Sequence, residues 1–453
     1  MIVIYSPAGS AKRLNYVSRH VFENILGTTY KIVTEREIFL QETGACINYS
    51  GEDINHGLRI IPQGLLSETG IRNISDWGES KWKGFFCFFK QNRGDIPFDL
   101  FSAAFYLLTS YEEYFLKQTD EHDRFDVNSS LLYRNDSLEV PLIDRWAYGL
   151  KEELQKRYPK LPFNLRKYRF ISTFDIDFPF LYRYKGVAKT VGAALRDMLK
   201  FNFESLKERL GVIFRLNPDP YMQTIKKIDD FHKKAGRSYY LFVLLGRNGK
   251  YGRSTVKPTI LYDDHLKALK QVIIGSHPSY DTYHNPELLI REKEELENLL
   301  GRKVTTNRRH YFRMTCPQSF RETAQAGFKE DFTLGFAKAP GFRSGTAIPY
   351  YFYDVEQDTL SDLLIRPTIM MDSTLITHLG CSPGYALLKI KQLADECKKS
   401  GGDYLWLWHN SNLAGTKNKL WKDVFTASFN YAVSLENDNP AKVPDKKTIH
   451  TPR

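Results

Sequence analysis

The sequence predicts an α/β fold: a distorted parallel (β/α) barrel over residues 165–436, preceded by a smaller α/β domain at 1–160. Two observations carry that expectation. From about residue 167 onward, short runs of β-branched and aromatic residues alternate with segments whose apolar residues recur every three or four positions, the pattern of strands joined by helices. The apolar runs also end in polar or ionisable side chains, and in α/β barrels the chemistry gathers at strand ends.

In chain order, MIVIYS reads as an opening strand, and NYVSRHVFENIL and the stretch 98–116 read as helices. DEHDRFD, 120–126, contains His122 among four acids but follows a helix and reads as a polar turn. The helix DRWAYGLKEELQKRY leads into the proline-punctuated PKLPFNLRK, so 155–167 is expected to be a linker. The strand KYRFISTFDIDFPF, 167–180, follows. Residues 181–217 carry eight basic and three acidic side chains, with Val187, Val191, Leu195 and Met198 at helical spacing. Three readings of that stretch stay open: a lid, a membrane-surface helix making a peripheral contact, or a surface helix packed on the barrel.

Next come the helix DPYMQTIKKIDDFHKKAG, the strand SYYLFVLLG, the helix TILYDDHLKALKQ, the strand VIIGSH, the helix PELLIREKEELENLLG and the strand KVTTNRRHYF. Beyond them lie the loop GFRSGT and the runs TIMMD and YLWLWHN. The polar stretch 437–453, rich in Lys and Pro, is expected to be a loosely attached tail.

Composition bounds the function. With 42% hydrophobic and 26% charged residues the chain is globular, and 453 residues suffice for a large core. Lys and Arg outnumber Asp and Glu by 64 to 53, yet the surplus is spread along the chain and no zinc-finger, RNP or basic-zipper pattern occurs, so a dedicated nucleic-acid reader is not expected. Five scattered cysteines without a C-x-x-C predict neither a disulfide framework nor a cysteine metal site. No basic segment followed by an apolar core opens the chain, and no run of eighteen apolar residues occurs, so the expected location is the cytoplasm, with no transmembrane segment.

The candidate site residues are those at the strand ends. Asp175 and Asp177 sit two apart at the end of an apolar strand and face one side, about 7 Å apart along the chain. That spacing suits a metal ligand beside a base, or a structural pair. His277, His310 and His409 end later strands, and Arg343 and Asp372 lie between the last two. Singly, each has an ordinary structural explanation; in series they point to one site.

From Asp175 to His409 this order resembles the NodB-type polysaccharide deacetylases (carbohydrate esterase family 4 and its relatives), here with an additional N-terminal domain. The residues that carry the resemblance are TFDID, HPSYD, GFRSGTAIPY and LWLWH. It implies a distorted (β/α) barrel of NodB type and a metal-dependent hydrolase that removes an N-acetyl or related acyl group from a sugar. In that reading Asp175 is the base, His409 the acid, and Arg343 a partner of Asp175 or of a substrate oxygen. Asp372 orients His409.

The resemblance further implies a divalent cation, zinc with cobalt or nickel as alternatives, held by Asp177, His277 and a third ligand. In HPSYD the family's second histidine is replaced by Asp281, so His310 is the preferred third ligand, with Asp281 and His284 as alternatives and a metal-free site also open. The expected substrate is an N-acetylated sugar, glycan precursor or polysaccharide, and Tyr350, Tyr351, Phe352 and Tyr353 are either sugar-stacking or core residues. A non-catalytic barrel that binds a glycan or protein, and an allantoinase-like hydrolase of another C–N bond, are the rival readings.

Overall fold

The computed structural model describes residues 1–7, 11–74, 76–246, 251, 258–261, 266–415 and 418–437. Residues 438–453 of the expected tail and residues 262–265 of TILYDDHLKALKQ lie outside them.

Four short strands, β1 (Ile2–Tyr5), β2 (Tyr30–Val33), β3 (Ala45–Asn48) and β4 (Leu58–Arg59), form a parallel sheet in the order β2-β1-β3-β4. Alternation along β1 explains how both faces are covered. Ile2 and Ile4 join the main core, whereas Val3 and Tyr5 pack against Phe39, Cys46 and Ile54. An antiparallel hairpin follows, β5 (Ser80–Trp82) with β6 (Phe85–Cys87). The two long helices of this half, Leu100–Leu108 and Leu142–Arg157, are largely buried; the first is capped by Asp99, which accepts from the Ser102 N–H.

The second sheet comprises β7 (Arg169–Ile176), β8 (Tyr239–Val243), β9 (Val272–Ser276), β10 (Thr306–Asn307), β11 (Glu330–Asp331), β12 (Tyr350–Asp354), β13 (Thr359–Ile365), β14 (Met370–Met371) and β15 (Asp403–His409). Its order is β12-β13-β11-β10-β9-β8-β7-β15-β14, parallel except for β12 against β13. Of the expected distorted barrel the structure shows the mixed α/β arrangement with a mostly parallel sheet, but its strand ladder does not close: β12 and β14 are its end strands. Pro367, between β13 and β14, supplies a reason, because proline has no N–H to continue a ladder. Around it the chain crosses from one side to the other by single bonds. Arg366 and Thr368 N–H donate to Asp331 and Leu334 carbonyls, and Ile369 N–H donates to Leu405 O.

The sheet is nevertheless strongly curved. Phe242 on β8, Phe332 just past β11 and Leu405 on β15 meet in one cluster flanked by Ile171 and Tyr240, so side chains from distant strands fill the concave face. On the convex face Phe170, Phe174, Trp406 and Trp408 pack against Phe425 and Phe429 of the helix Lys419–Asn437. This outer layer and the core of the first half form one continuous apolar cluster. The segment 155–167, expected as a linker, is held at Asn164, whose N–H donates to Gly27 O, and at Arg166, which pairs with Asp403 at 3.0 Å. Tyr350, Phe352 and Tyr353 are buried in β12, so those aromatics serve the core rather than a sugar site. The five cysteines are unbridged.

Candidate metal centre

The concave face of β7 presents Ile171, Thr173 and Asp175 in succession, and Asp177 follows one step past the strand end. Beside it His277 continues β9, its N–H donating to Val243 O. Gly275, two residues earlier on the same face, makes this packing feasible: a Cβ there would lie 2.6 Å from the Phe242 ring and from Thr306 Oγ1. His310 comes three residues after β10, in a short turn that places Tyr311 and Phe312 at φ +63° and +52°. His409 ends β15, and Asp372 follows β14.

These elements bring Asp177, His277 and His310 together, with one ligand atom of each lying within 4.8 Å of the others. Asp177 Oδ1 stands 3.3 Å from His277 Nε2 and 3.6 Å from His310 Nε2. His277 Nδ1 is 2.6 Å from the Arg308 carbonyl, which requires Nδ1 to donate and leaves Nε2 to face the carboxylates. Both Asp177 Oδ1 and His277 Nε2 are buried without a hydrogen-bond partner. Two unsatisfied donor atoms aimed at one point, backed by a third imidazole, fit a divalent cation of the zinc type; one carboxylate and two imidazoles leave a coordination position open.

The electrostatics agree. For Asp177, burial opposes ionisation, but the facing imidazoles, His310 first, hold its carboxyl well below the usual range. For His277, burial lowers the imidazole pKa while the Asp175 and Asp177 charges raise it, and the net shift is upward. A proton and a cation compete for the same Nε2.

Asp175 lies behind this cluster, its Oδ2 3.6 Å from His277 Nε2. Its expected arginine is corrected. Arg343 donates to Glu113 Oε1 at 2.7 Å and to Gly335 O at 2.9 Å, joining the two halves of the chain away from the cleft. The guanidinium that meets Asp175 belongs to Arg308, with Nη1 at 2.8 Å from Oδ1 and Nη2 at 2.7 Å from Thr173 Oγ1. Arg308 is fully buried and lies 4.4 Å above the Phe242 ring.

On the opposite wall His409 Nδ1 stands 2.6 Å from Asp372 Oδ1, and Asp372 also accepts from the His409 main-chain N–H and from Asn412 Nδ2. Burial would lower the His409 pKa, but Asp372, then Asp177 and Asp175, outweigh it and lift it to about 10. His409 Nε2 points inward, 3.8 Å from Asp177 Oδ2.

The alternative ligands do not join the cluster. Asp281 is exposed in the turn Tyr280–Thr282, and His284 faces Glu322 at 3.8 Å. In the polar turn 120–126, Arg124 pairs with Asp120 at 2.6 Å and donates to Tyr311 O at 2.7 Å, while the His122 ring lies 4.8 Å from that of Tyr311. The first half thus supplies a wall of the cleft, which encloses about 300 Å³. Its apolar lining is a patch of Phe312, Ala337, Met371 and Leu407.

Sequence reasoning passed over Arg308, Arg124, Tyr311 and Asn412. Arg308 and Tyr311 had a local signal, their places two residues before and one after His310.

Residues 2–159 match a family of unknown function, DUF7033. No curated protein matches. Among solved structures, one described as a candidate polysaccharide deacetylase from Mycobacterium smegmatis is 13% identical, covering 62% of this chain and 96% of its own, with a TM-score of 0.37. A 4-alpha-glucanotransferase from Thermococcus litoralis is 12% identical, covering 60% of this chain and 38% of its own, at 0.33. Likenesses of this size assign neither fold nor chemistry.

Proposed function

We propose that this chain is a metal-dependent hydrolase of the NodB deacetylase kind, removing an N-acetyl or related acyl group from a sugar or glycan precursor. The observation that carries this reading is the pair of buried, unpartnered atoms, Asp177 Oδ1 and His277 Nε2, converging with His310 between Asp175 on one side and His409 on the other. Asp177, His277 and His310 would hold the cation, zinc or alternatively cobalt or nickel. When bound, such an ion supplies Lewis-acid polarisation of the acyl oxygen and makes a water acidic near neutral pH.

The chain's own groups do the rest. Arg308 fixes Asp175 through Oδ1, so Oδ2 is the oxygen free to take the proton of the attacking water. That water adds to the acyl carbon, and the C–N bond then breaks. His409, its ring fixed by Asp372, whose charge favours the imidazolium, gives its Nε2 proton to the departing nitrogen, which leaves as an amine rather than as an amide anion. Phe312, Ala337, Met371 and Leu407 offer an apolar bed suited to an acetyl methyl group. Tyr311, partly exposed at the lip beside His310, offers a ring face to a sugar.

The test pairs metal analysis with product detection. Purified protein should carry about one divalent cation per chain, lose it in Asp177→Ala, and release acetate from N-acetylated sugar oligomers in a chelator-sensitive manner. Release of ammonia or ureido products would move the reading to another C–N bond. A protein that binds the cation and a glycan yet yields no product would make this a binding site.

A further inference from the structure

The helices Val187–Leu199 and Phe203–Ile213, which follow β7 directly, are amphipathic in the wrong sense for a water-exposed hairpin. The one fully buried side chain of the first is Asp197, and it pairs with the buried Arg209 of the second at 2.7 Å. Apart from the buried Val212 and the half-buried Leu206, the large apolar residues face outward: Val187 is 82% exposed, Phe201 80%, Leu216 78%, Leu199 75% and Phe214 68%. Neighbouring helices do the opposite. Pro220–Lys234 buries Ile225 and Ile228, and Pro383–Ser400 buries Ile390 and Leu393. A patch of this kind on one hairpin is an interaction surface rather than scattered exposure.

Charge selects what covers it. Lys189, Arg196, Lys200, Lys207 and Arg215 are all exposed, and among the described residues no carboxylate pairs with any of them. Of the hairpin's three acids, Asp197 is consumed by Arg209 and Glu208 by the Tyr182 hydroxyl, leaving Glu204. Bulky apolar and aromatic side chains interleaved with cations, in helices too short and too charged to cross a bilayer, match the composition of interfacial anchors on anionic lipid. No helix among the described residues is long and apolar enough to span a membrane.

The base of the hairpin is firm. Buried Asp219 accepts from the main-chain N–H groups of Leu181, Tyr182 and Arg183, and Asn410 Nδ2 donates to Phe178 O. Because Phe178 follows Asp177 directly, the hairpin is anchored at the rim of the cleft.

We infer that the hairpin 187–216 docks this chain onto an anionic phospholipid surface, with the apolar side chains entering the headgroup region and the cations resting on lipid phosphates. The docking does not depend on the hydrolytic reading.

The test uses the full chain and sedimenting vesicles of phosphatidylcholine alone or mixed in equal parts with phosphatidylglycerol. Binding to the mixed vesicles should exceed binding to the neutral ones by about tenfold or more, and should fall by a similar factor in Leu199→Ser/Phe201→Ser/Phe203→Ser and in Lys189→Glu/Lys200→Glu/Lys207→Glu. As an independent readout, the emission of Phe201→Trp should move to shorter wavelength with mixed vesicles and be quenched by brominated acyl chains. Equal binding to both vesicle types, binding indifferent to either triple variant, or unchanged Trp emission would overturn the inference. So would lipid-free self-association that the serine variant abolishes, since a second copy would then be what covers the patch.

Discussion

Replacing Arg308 with Met isolates the role of the guanidinium beneath Asp175. Methionine keeps most of the length and its contact with Phe242, but removes the bonds to Asp175 Oδ1 and Thr173 Oγ1 and the weaker one to Phe332 O at 3.2 Å. Asp175 is 2% exposed, so its carboxylate is left buried without its guanidinium partner. Removing one partner of such a pair costs about 3–5 kcal/mol, a large share of the 5–15 kcal/mol that holds a typical domain. Guanidinium unfolding in chelator, followed by the fluorescence of buried Trp406 and Trp408, measures the loss. In an Asp175→Asn background no carboxylate remains to be orphaned, and the cost of Arg308→Met should fall by about 2 kcal/mol or more. A cost near zero, or the same cost in both backgrounds, would refute the pairing as a source of stability.

Three further outcomes are expected. Asp372→Asn should lower turnover by roughly 10²-fold with KM little changed, because His409 loses the carboxylate that orients it; undiminished turnover in a steady-state product assay would exclude His409 as the acid. Arg343→Met should destabilise the chain by about 3–5 kcal/mol through the buried Glu113 while leaving metal content intact, as read by calorimetry and elemental analysis. His232 is buried, donating from Nδ1 to Ile228 O and accepting at Nε2 from Ser172 Oγ, and burial holds its pKa down to about 4. The unfolded chain takes up that proton near pH 6.5, so the contribution of His232 is full above pH 6.5 and is lost as pH falls toward 4, to the extent of roughly 3 kcal/mol. The gap between wild type and His232→Gln in the pH dependence of unfolding should show this slope, and parallel curves would contradict it.

What was legible in the sequence was local. The alternation of FISTFDI and of YLWLWH placed the strands, and the same period put Asp175 and His409 on the concave face. His310 was harder, since only two residues of its segment pair as a strand and its position depends on positive φ at Tyr311 and Phe312. Non-local facts escaped. Arg343, in a glycine-flanked loop, looks like a site arginine until Glu113, 230 residues away, is seen beside it. Arg308 looks like one more surface cation until the curvature carries it to β7. The open ladder followed from Pro367, whose missing N–H matters only once its neighbours are known. Helical spacing around Val187 revealed a stripe, but not that the stripe faces outward.

The single apolar core shared by both halves has a consequence for the order in which the chain matures. Tyr16 donates its hydroxyl to the carbonyl of Tyr351, 335 residues later, and Arg13 meets Asp358. At a synthesis rate of about 5–20 residues per second, those early side chains wait roughly 15–70 s for their partners to emerge. Through that interval the surfaces around Tyr16 and Phe105, destined to lie against Tyr353, stay open to solvent and to other nascent chains. The first half therefore leaves the ribosome as an unfinished surface whose native contacts arrive last, and the length of that delay, more than the final stability, sets its exposure to misassembly.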